Sequence, residues 1–209
     1  MNSPQDSSNQ SATKNSWICQ SETTLISSPV LDVVEQKCVS SEDQREFTFY
    51  ILKSHDWCNV IPVTKDGKIV LVKQYRIGIA THTHEIPGGV IDPQDPSVQA
   101  TALRELEEET GYSPCANAQI KPLGWSYPNP AIQDNRCFSF IVGPVERKKN
   151  QNLDPGEMIE VIELPIEDLP EWIRQGKINH ALILNAFLQL LITAPQTDSL
   201  LIEQLNHFT

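Results

Sequence analysis

The stretch LRELEEETGY, Leu103 to Tyr112, crowds four acidic side chains into little more than one helical turn: Glu105, Glu107, Glu108 and Glu109. Like charges at helical spacing repel each other by a few tenths of a kcal/mol per pair, so the cluster has a cost. Either this helix face is simply solvated or something positive lies against it. The rest of the chain decides between these two interpretations.

The composition is that of a soluble globular protein with a strongly acidic balance. The chain has 209 residues, of which 39% are hydrophobic and 21% charged, and this length suits one domain with or without appendages. The net charge is −11, which argues against a nucleic-acid or anionic membrane partner because both need basic patches. A phosphate substrate would need local arginines or bound cations.

The cysteines are odd in number and form no CxxC pair, which is typical of free thiols in a reducing compartment. They are Cys19, Cys38, Cys58, Cys115 and Cys137. The N-terminus lacks the apolar segment of a signal peptide. The apolar run Ala181–Ala194 is too short to span a bilayer and contains Asn185 and Gln189. We therefore expect a cytoplasmic protein.

Short β-like segments follow a polar start. Residues 1–16 are rich in Ser, Asn and Gln, and we expect them to be disordered. Val60 to Tyr75 is typical of a hairpin with Asp66-Gly67 at its turn. Further strands are predicted in TLISS, LDVVEQKCV, EFTFYIL, THEIPGGVI, QIKPLGWSY, RCFSFIVGPV and EMIEVIELP.

The helix around LRELEEETGY has recognisable ends. Asp95 is the predicted N-cap, Pro96 suits the first helical position, and Gly111 suits the left-handed position after the last turn. Two more helices are predicted at Ile166–Gln175 and Ile178–Ile192. Strands, helix, strands and helices in this order indicate an α+β fold or a mixed α/β sandwich.

The acidic row has the chemistry of a metal site. Glu105 lies three residues before Glu108 and four before Glu109, so all three carboxylates can share one helix side. Mg²⁺ prefers oxygen ligands in this form, together with waters and substrate phosphates. A solvated face is the alternative for any glutamate run. The glycine-rich bend before the helix, Arg104 and the Gly111 stop favour the metal site.

The stretch GGVIDPQDPSVQATALRELEEETGY, Gly88 to Tyr112, resembles the signature of the Nudix hydrolases, G-x5-E-x7-R-E-U-x-E-E-x-G-U, where U is bulky and apolar or aromatic. The second half matches residue for residue at Arg104, Glu105, Leu106, Glu108, Glu109, Gly111 and Tyr112. The first half has 14 residues between Gly89 and Arg104 where the signature has 13, and Asp95 or Pro96 replaces the first glutamate. We expect the extra residue to lie in the loop, where insertions are tolerated.

The resemblance extends beyond this signature. LVKQYRIGIATHTHEIPGG resembles the strand pair of the ADP-ribose and nucleotide-sugar pyrophosphatase branch, and Pro128 follows Tyr112 by 16 residues, as in ADP-ribose pyrophosphatases. Where that branch has an acidic residue, this chain offers Asn129, Gln133 or Asn135.

The resemblance implies an α+β fold, a mixed α/β/α sandwich with an N-terminal β extension. We divide the chain into a disordered tail (1–16), a β extension (17–55), a Nudix-like hydrolase domain (56–195) and a C-terminal tail or short helix (196–209).

The resemblance also assigns roles around the metal. Glu105 and Glu109 would be the principal ligands of Mg²⁺, with Mn²⁺ as an alternative, and Glu108 a ligand or a supporting group. The backbone carbonyl of Gly88 would complete the coordination. Arg104 would orient a neighbouring carboxylate, although an ordinary surface ion pair is the alternative.

Further roles concern the base and the substrate. The resemblance places the general base in a late loop, where Glu157 aligns best and Asp154 and Glu160 less well. The predicted substrate-binding residues are Arg76, Glu85, Pro128 and Arg136. Because no Cys or third His is near, a zinc site at His82 and His84 is disfavoured. Trp125 and Tyr127 have two interpretations: they stack on a nucleobase, or they pack in the core.

The predicted function is a metal-dependent hydrolase that cleaves a nucleoside diphosphate linked to a sugar, such as ADP-ribose, into a nucleoside monophosphate and a sugar phosphate. One alternative is a catalytically silent nucleotide-binding or sensor module, and another is a Nudix hydrolase for a different nucleotide derivative. The resemblance also implies a homodimer that pairs through its N-terminal strands.

Overall fold

The computed structural model describes residues 16–193, which form two compact units. Of these residues, one unit contains 16–54 together with Asn129–Asp134, and the other contains His55–Pro128 and 135–193. The predicted disordered tail, apart from Ser16, and the predicted C-terminal tail or short helix lie outside the described residues. The boundaries of the β extension and the hydrolase domain stay a prediction.

The first unit is an antiparallel sheet of three strands in the order β1–β2–β3. Its strands are β1 (Trp17–Ser27), β2 (Leu31–Ser40) and β3 (Glu46–Ser54). Every residue of the edge strand β1 is exposed, while Val34 and Cys38 of the central strand are buried. These three strands confirm the β segments predicted for this part of the chain.

The second unit is built on a mixed seven-stranded sheet in the order β10–β5–β4–β9–β8, with β6 paired to β5 and β7 to β4. β4 and β9 are parallel, and the other pairs are antiparallel. The strands are β4 (Trp57–Thr64), β5 (Lys68–Arg76), β6 (Thr81–Glu85), β7 (Gly88–Val90), β8 (Tyr112–Ser126), β9 (Cys137–Arg147) and β10 (Ile159–Pro165).

Helices cover the sheet because alternate strand residues are apolar on both faces. On β4, Val60 packs in a cluster with Leu106 of helix α1 (Val98–Thr110). The next residue, Ile61, packs in the other cluster with Phe187 of helix α3 (Ala181–Thr193). This arrangement confirms the predicted α+β fold with helices and sheet in layers.

The predicted hairpin is confirmed. β4 and β5 are antiparallel, with Val63 opposite Ile69, and Gly67 adopts a positive φ of 77° at the turn. The Lys68 amide donates to Thr64 Oγ1 at 3.0 Å, which closes the turn. A residue without a Cβ adopts that φ at no steric cost, as the Asp-Gly pair predicts.

The prediction for the start of α1 is wrong by two residues. The helix begins at Val98, and its N-cap is Ser97, whose Oγ accepts a hydrogen bond from the Ala100 amide at 3.1 Å. Asp95 and Pro96 lie in the preceding loop, because Asp95 turns its carboxylate to Thr101 and Arg104 instead. The predicted end is confirmed: Gly111 has a φ of 74°, and its amide donates to the Glu107 carbonyl.

The later helices are shorter than predicted. A 3₁₀ turn at Ile166–Asp168 precedes helix α2 (Leu169–Arg174), and α3 starts at Ala181 instead of Ile178. His180 caps α3, since its Nδ1 accepts from the Leu182 amide at 3.2 Å. Among residues 16–193, no helix combines the length and apolar character needed to cross a membrane.

Candidate active site

Two adjacent glycines bring strand β7 close to its neighbours. A Cβ on Gly88 would lie 2.3 Å from the Cys58 carbonyl oxygen of β4, and a Cβ on Gly89 would lie 2.5 Å from Glu105 Oε1 on α1. Both distances are too short for any side chain. Gly88 is therefore required for the close approach of the β7 and β4 backbones, whereas a Cβ on Gly89 would displace only the end of the Glu105 side chain.

Glu109 is the most deeply buried acid of α1, with 5% of its surface exposed. Its Oε2 accepts a hydrogen bond of 3.0 Å from the Gly88 amide. Burial raises the pKa of Glu109 to about 8, and the negative charges of Glu105 and Glu157 add to this effect. Such a shift means that the charged carboxylate is costly to bury, which a bound cation offsets.

Arg104 connects the other two predicted ligands with the loop before the helix. Its Nη2 lies 3.0 Å from Glu105 Oε1 and 3.2 Å from Asp95 Oδ2, and its Nη1 lies 2.6 Å from Glu108 Oε2. Burial is the main cause that raises the pKa of Glu105, and the charge of Arg104 opposes it. Asp95, and not Pro96, thus supplies the carboxylate of the loop despite the extra residue.

Glu107, the fourth acid, faces elsewhere. Its carboxylate pairs with Lys149 and accepts a hydrogen bond of 2.7 Å from Ser113 Oγ. These partners lower the pKa of Glu107, with the Lys149 hydrogen bond as the largest cause. The crowded helix therefore carries two kinds of acid, one paired for structure and three gathered beside Arg104 and the glycines.

These three acids offer the oxygen ligands that a hard divalent cation prefers. Glu105, Glu108 and Glu109 offer carboxylate oxygens beside the backbone of Gly88, and the buried Glu109 gains most from a cation. Within residues 16–193, however, no three His, Cys, Asp or Glu side chains are grouped so as to hold a metal as they stand. The ion pairs with Arg104 direct Glu105 and Glu108, and the Gly88 hydrogen bond directs Glu109.

Arg76 and Glu85 form a two-pronged pair at the ends of β5 and β6. Arg76 Nε and Nη2 donate to the two Glu85 oxygens, each at 2.7 Å, and Thr83 Oγ1 donates a third bond. Glu85 is only 3% exposed, so this carboxylate is buried within the sheet. Although burial alone raises the pKa of Glu85, these bonds outweigh it and leave the pKa below the ordinary value.

Thr83 is a partner that sequence reasoning did not assign to this site. A signal for it existed, because residues two apart on a strand share a face, which places Thr83 beside Glu85. The structure places Glu85 as the residue that holds the Arg76 guanidinium. Its predicted contact with substrate stays a prediction.

Glu157 lies near the same acids. Strand β10 pairs with β5 starting at Ile159 opposite Gln74, so the chain before Ile159 runs towards Arg76. The charge of Glu157 raises the pKa of Glu105 and Glu109, in both cases after the larger effect of burial. Of the weaker candidates, Glu160 pairs with Lys73 at 2.9 Å, and Asp154 is exposed, its amide donating to Glu157 Oε2.

The remaining predicted substrate residues lie at the end of β8 and the start of β9. Arg136 binds Asp56, with its Nη2 2.7 Å from Asp56 Oδ2, and its guanidinium lies over the Phe138 ring. Pro128 is half-buried in the bend after β8. The roles of Arg136 and Pro128 in substrate binding stay predictions.

The aromatic and histidine residues are also placed. Trp125 and Tyr127 are each 49% exposed and stack edge to face at 5.1 Å, so the core interpretation is wrong for both. His84 Nδ1 lies 3.1 Å from the Lys177 carbonyl, and His82 packs against the Tyr75 ring.

Comparison with known proteins identifies the class to which this fold and site belong. The NUDIX domain family matches residues 53–187, well over half of the chain. The chain belongs to the Nudix family. Nudix hydrolases generally use divalent metal cations, in agreement with the acidic donor set of α1.

Three relatives show where the chain lies within the family. The ADP-ribose pyrophosphatase of Bacillus subtilis (strain 168) is 33% identical over 123 residues, which is 58% of this chain and 64% of the relative. The ADP-sugar pyrophosphatase of Mus musculus is 36% identical over 125 residues, 56% of either chain. The methanol dehydrogenase activator of Bacillus methanolicus is 36% identical over 121 residues, 57% of this chain and 63% of the relative. The chain thus spans less than two thirds of the length of these curated relatives.

A solved structure shares the fold over nearly the whole chain. The crystal structure of an ADP compounds hydrolase superposes with a TM-score of 0.75 at 18% identity, covering 90% of this chain and 99% of that chain. At this identity the likeness shows the fold alone.

Proposed function

We propose that this protein is a Nudix pyrophosphohydrolase that uses Mg²⁺, or Mn²⁺, to cleave the diphosphate of an ADP-ribose-like nucleotide sugar. The products are a nucleoside monophosphate and a sugar phosphate. Two of the relatives are named for ADP-ribose and ADP-sugar as substrates, which supports this substrate class.

One observation carries the proposal: the buried Glu109 carboxylate is fixed by the Gly88 amide at 3.0 Å beside Glu105 and Glu108. A simple solvated face would leave these acids in water and their pKa values near normal. Instead burial raises the pKa of both Glu105 and Glu109. Desolvated acids grouped in this way are typical of functional sites.

Different residues of the chain are assigned to metal binding and to the orientation of the metal ligands. Glu105, Glu109, Glu108 and the Gly88 carbonyl would hold the metal. When bound, a divalent cation neutralises charge on the diphosphate and lowers the pKa of an attacking water. Arg104 directs Glu105 and Glu108 through its two ion pairs.

Glu157 is proposed as the general base that takes the proton of the attacking water. It is half-buried, and its charge acts on both Glu105 and Glu109. Glu160, in contrast, is neutralised by Lys73. A base within reach of the water is what this chemistry requires.

Arg76 is proposed to bind a phosphate oxygen of the substrate. Glu85 occupies Nε and Nη2, which orients the guanidinium and leaves the hydrogens of Nη1 for the ligand. Side-chain exposure of 44% makes Arg76 accessible. Arg136 is proposed as a second phosphate contact, and Pro128 and the exposed ring pair Trp125 and Tyr127 are proposed to contact the nucleoside or the sugar.

The test is a substrate screen. The purified chain is incubated with ADP-ribose, other nucleoside diphosphate sugars and dinucleoside polyphosphates, with Mg²⁺ or Mn²⁺, and the released nucleoside monophosphate is measured by chromatography. We expect AMP and ribose 5-phosphate from ADP-ribose. Absence of monophosphate release from every nucleotide sugar at saturating metal would overturn the proposal.

A second candidate function is favoured by the relative that is named as the activator of another enzyme. In this alternative the chain binds the nucleotide without cleaving it and acts as a sensor. Isothermal titration that detects ADP-ribose binding at saturating Mg²⁺, together with no monophosphate release, would select it over the hydrolase.

We also propose a cytoplasmic homodimer. The five free cysteines support a reducing compartment. Pairing through the N-terminal strands is supported by exposed apolar residues at one end of the first unit, Leu25, Ile26 and Val30, with 50%, 60% and 72% exposure. Sedimentation equilibrium of the wild type and of Ile26→Asp distinguishes a dimer from a monomer.

A further inference from the structure

Two cysteines of the first unit face each other across neighbouring strands. In the antiparallel register of β1 and β2, Cys19 lies directly opposite Cys38. Opposed residues of such a pair have Cα atoms about 4.5 or 5.5 Å apart. Both separations fall within the range of about 4.4–6.8 Å that a disulfide spans. Their side chains also project from the same face of the sheet, because directly opposed residues of neighbouring strands share a face.

The two thiols differ in accessibility. Cys19 is exposed, and Cys38 is 5% exposed. Burial is the main cause that raises the pKa of Cys38, and the neighbouring Cys19 raises it further. Cys19 is therefore the thiol that a dissolved oxidant meets first, with Cys38 held beneath it as the second thiol.

The local backbone favours access to Cys19. The register shifts between Cys19 and Ser21, so Gln20 is an extra residue that bulges from β1. β1 is the edge strand of its sheet, and all its residues are exposed. An oxidant reaches this edge without any opening of the fold.

The other three cysteines offer no comparable pair among the described residues. Cys58, Cys115 and Cys137 are buried in the second unit. Although β4 and β9 are neighbours, Cys137 is aligned with Trp57 and Cys58 with Phe138. Cys58 and Cys137 thus occupy successive positions of the register, which point to opposite faces of a sheet.

We propose that Cys19 and Cys38 form a peroxide-sensitive thiol pair that closes into a disulfide and ties the edge strand β1 to β2. The Cys19 thiolate attacks the O–O bond of a peroxide, so that an S–O bond forms, the O–O bond breaks and hydroxide leaves. The Cys38 sulfur then attacks the Cys19 sulfur; the S–S bond forms, the S–O bond breaks, and water leaves with the Cys38 proton. The two sulfurs together lose two electrons to the peroxide, as in other sulfenic acid condensations.

The test uses the full chain with hydrogen peroxide. After oxidation, free thiols are blocked with N-ethylmaleimide, and the protein is digested with trypsin without reduction. Because Lys37 directly precedes Cys38, trypsin separates Asn15–Lys37 from Cys38–Arg45. We expect these two peptides to appear as one disulfide-linked species, with a mass loss of two hydrogens that reduction reverses.

Two variants make the result specific. Cys19→Ser should abolish the linked species and leave Cys38 unoxidised at the same peroxide concentration. The matched control Cys115→Ser, which removes a buried cysteine of the other unit, should leave the linked species unchanged. Circular dichroism establishes that each variant is folded before oxidation.

A second readout follows the strand itself. Hydrogen exchange of the β1 amides should slow in the oxidised protein and recover on reduction, because the covalent link suppresses separation of β1 from β2. Oxidation of Cys19 to sulfinic acid without any linked peptide, or a linked species that forms only between two chains on a non-reducing gel, would overturn the proposal.

Discussion

Glu107 and Glu109 lie two positions apart on α1, yet their environments are opposite. Glu107 pairs with Lys149 and Ser113, while Glu109 is buried against the Gly88 amide. The pKa of Glu107 is lowered, and that of Glu109 is raised to about 8. At the residue scale, function is decided by what each carboxylate contacts and not by its presence in an acidic run.

The first prediction compares these two positions. Glu109→Gln should reduce kcat by roughly a hundredfold or more. The substitution removes a proposed ligand of the metal, and the metal stabilises the charge of the transition state by several kcal/mol. Glu107→Gln, the matched control on the same helix, should keep kcat within a few-fold. Steady-state hydrolysis of ADP-ribose with saturating Mg²⁺ measures both, and equal activities would contradict the metal role of Glu109.

The second prediction concerns the general base. Glu157→Gln should lower kcat by about 10²–10⁴, the usual contribution of general acid–base catalysis, with little change in Mg²⁺ affinity by calorimetry. Glu160→Gln, which removes an acid already paired with Lys73, serves as control and should be nearly as active as the wild type. A fully active Glu157→Gln would assign the base elsewhere.

The third prediction is a pH dependence of stability in the metal-free protein. Because the folded-state pKa of Glu109 is raised from 4.5 to about 8, the folded state binds this proton more tightly than the unfolded chain. Its contribution to the free energy of unfolding is thus complete below the ordinary pKa and is lost as the pH rises through about 8.

Urea unfolding in EDTA between about pH 5 and about pH 8 measures this loss. Glu109→Gln should flatten the decline, since the amide cannot ionise, whereas Glu107→Gln should retain it. Equal slopes in the wild type and Glu109→Gln would show that another group is responsible.

At the element scale, strand β7 and helix α1 together position the acidic side chains. The Gly88 amide holds Glu109, and the space above Gly89 is filled by the Glu105 carboxylate. The two glycines therefore differ in what a Cβ would disturb. At Gly88 it would collide with the backbone of β4, and at Gly89 it would collide with the Glu105 side chain.

The fourth prediction separates these two limits. Gly88→Ala places a Cβ 2.3 Å from the Cys58 carbonyl oxygen and should cost about 1–3 kcal/mol of stability. Gly89→Ala meets only the mobile end of Glu105 and should leave stability nearly unchanged, while Mg²⁺ affinity falls about 10- to 100-fold.

Gly78→Ala, where no atom lies within 4 Å of the added Cβ, is the matched control for both variants. Chemical denaturation gives the stabilities, and calorimetry gives the metal affinities. A Gly89→Ala protein with wild-type Mg²⁺ affinity would show that Glu105 is not a ligand.

The start of α1 depends on contacts that the local sequence does not specify. Asp95 and Ser97 are both good N-cap residues, and propensity alone does not choose between them. The choice is made by Arg104 and Thr101, which engage the Asp95 carboxylate and leave Ser97 to cap the helix. The end of the helix was predictable, because only a glycine fits the left-handed position of Gly111 at no cost.

At the scale of the whole molecule, net charge and site charge have the same sign. The chain carries −11, so the proposed diphosphate substrate would be attracted by local cationic groups and not by the surface as a whole. Bound metal is the natural source of that positive charge beside the α1 acids. Stability should therefore respond to the metal.

The fifth prediction is that Mg²⁺ raises the melting temperature of the wild type. A ligand that binds only the folded state at a hundredfold excess over its Kd adds about 2.7 kcal/mol. EDTA should reverse the shift, Glu109→Gln should reduce it, and KCl at equal ionic strength should not reproduce it. A wild-type melting temperature that ignores Mg²⁺ would contradict a metal site in the folded chain.

The sequence by itself determined the Nudix family, the layered α+β fold, the β4–β5 hairpin, and α1 with its acids and its glycine end. These features depend on local rules of periodicity, turn chemistry and motif spacing, which act between residues close in the chain. Only the tertiary structure decided which glutamates are buried, that Glu85 holds Arg76, that Asp95 pairs with Arg104, and that Cys19 lies opposite Cys38. The reason is physical: burial, ion pairing and strand register depend on groups brought together from distant parts of the chain, and no local pattern encodes their distances.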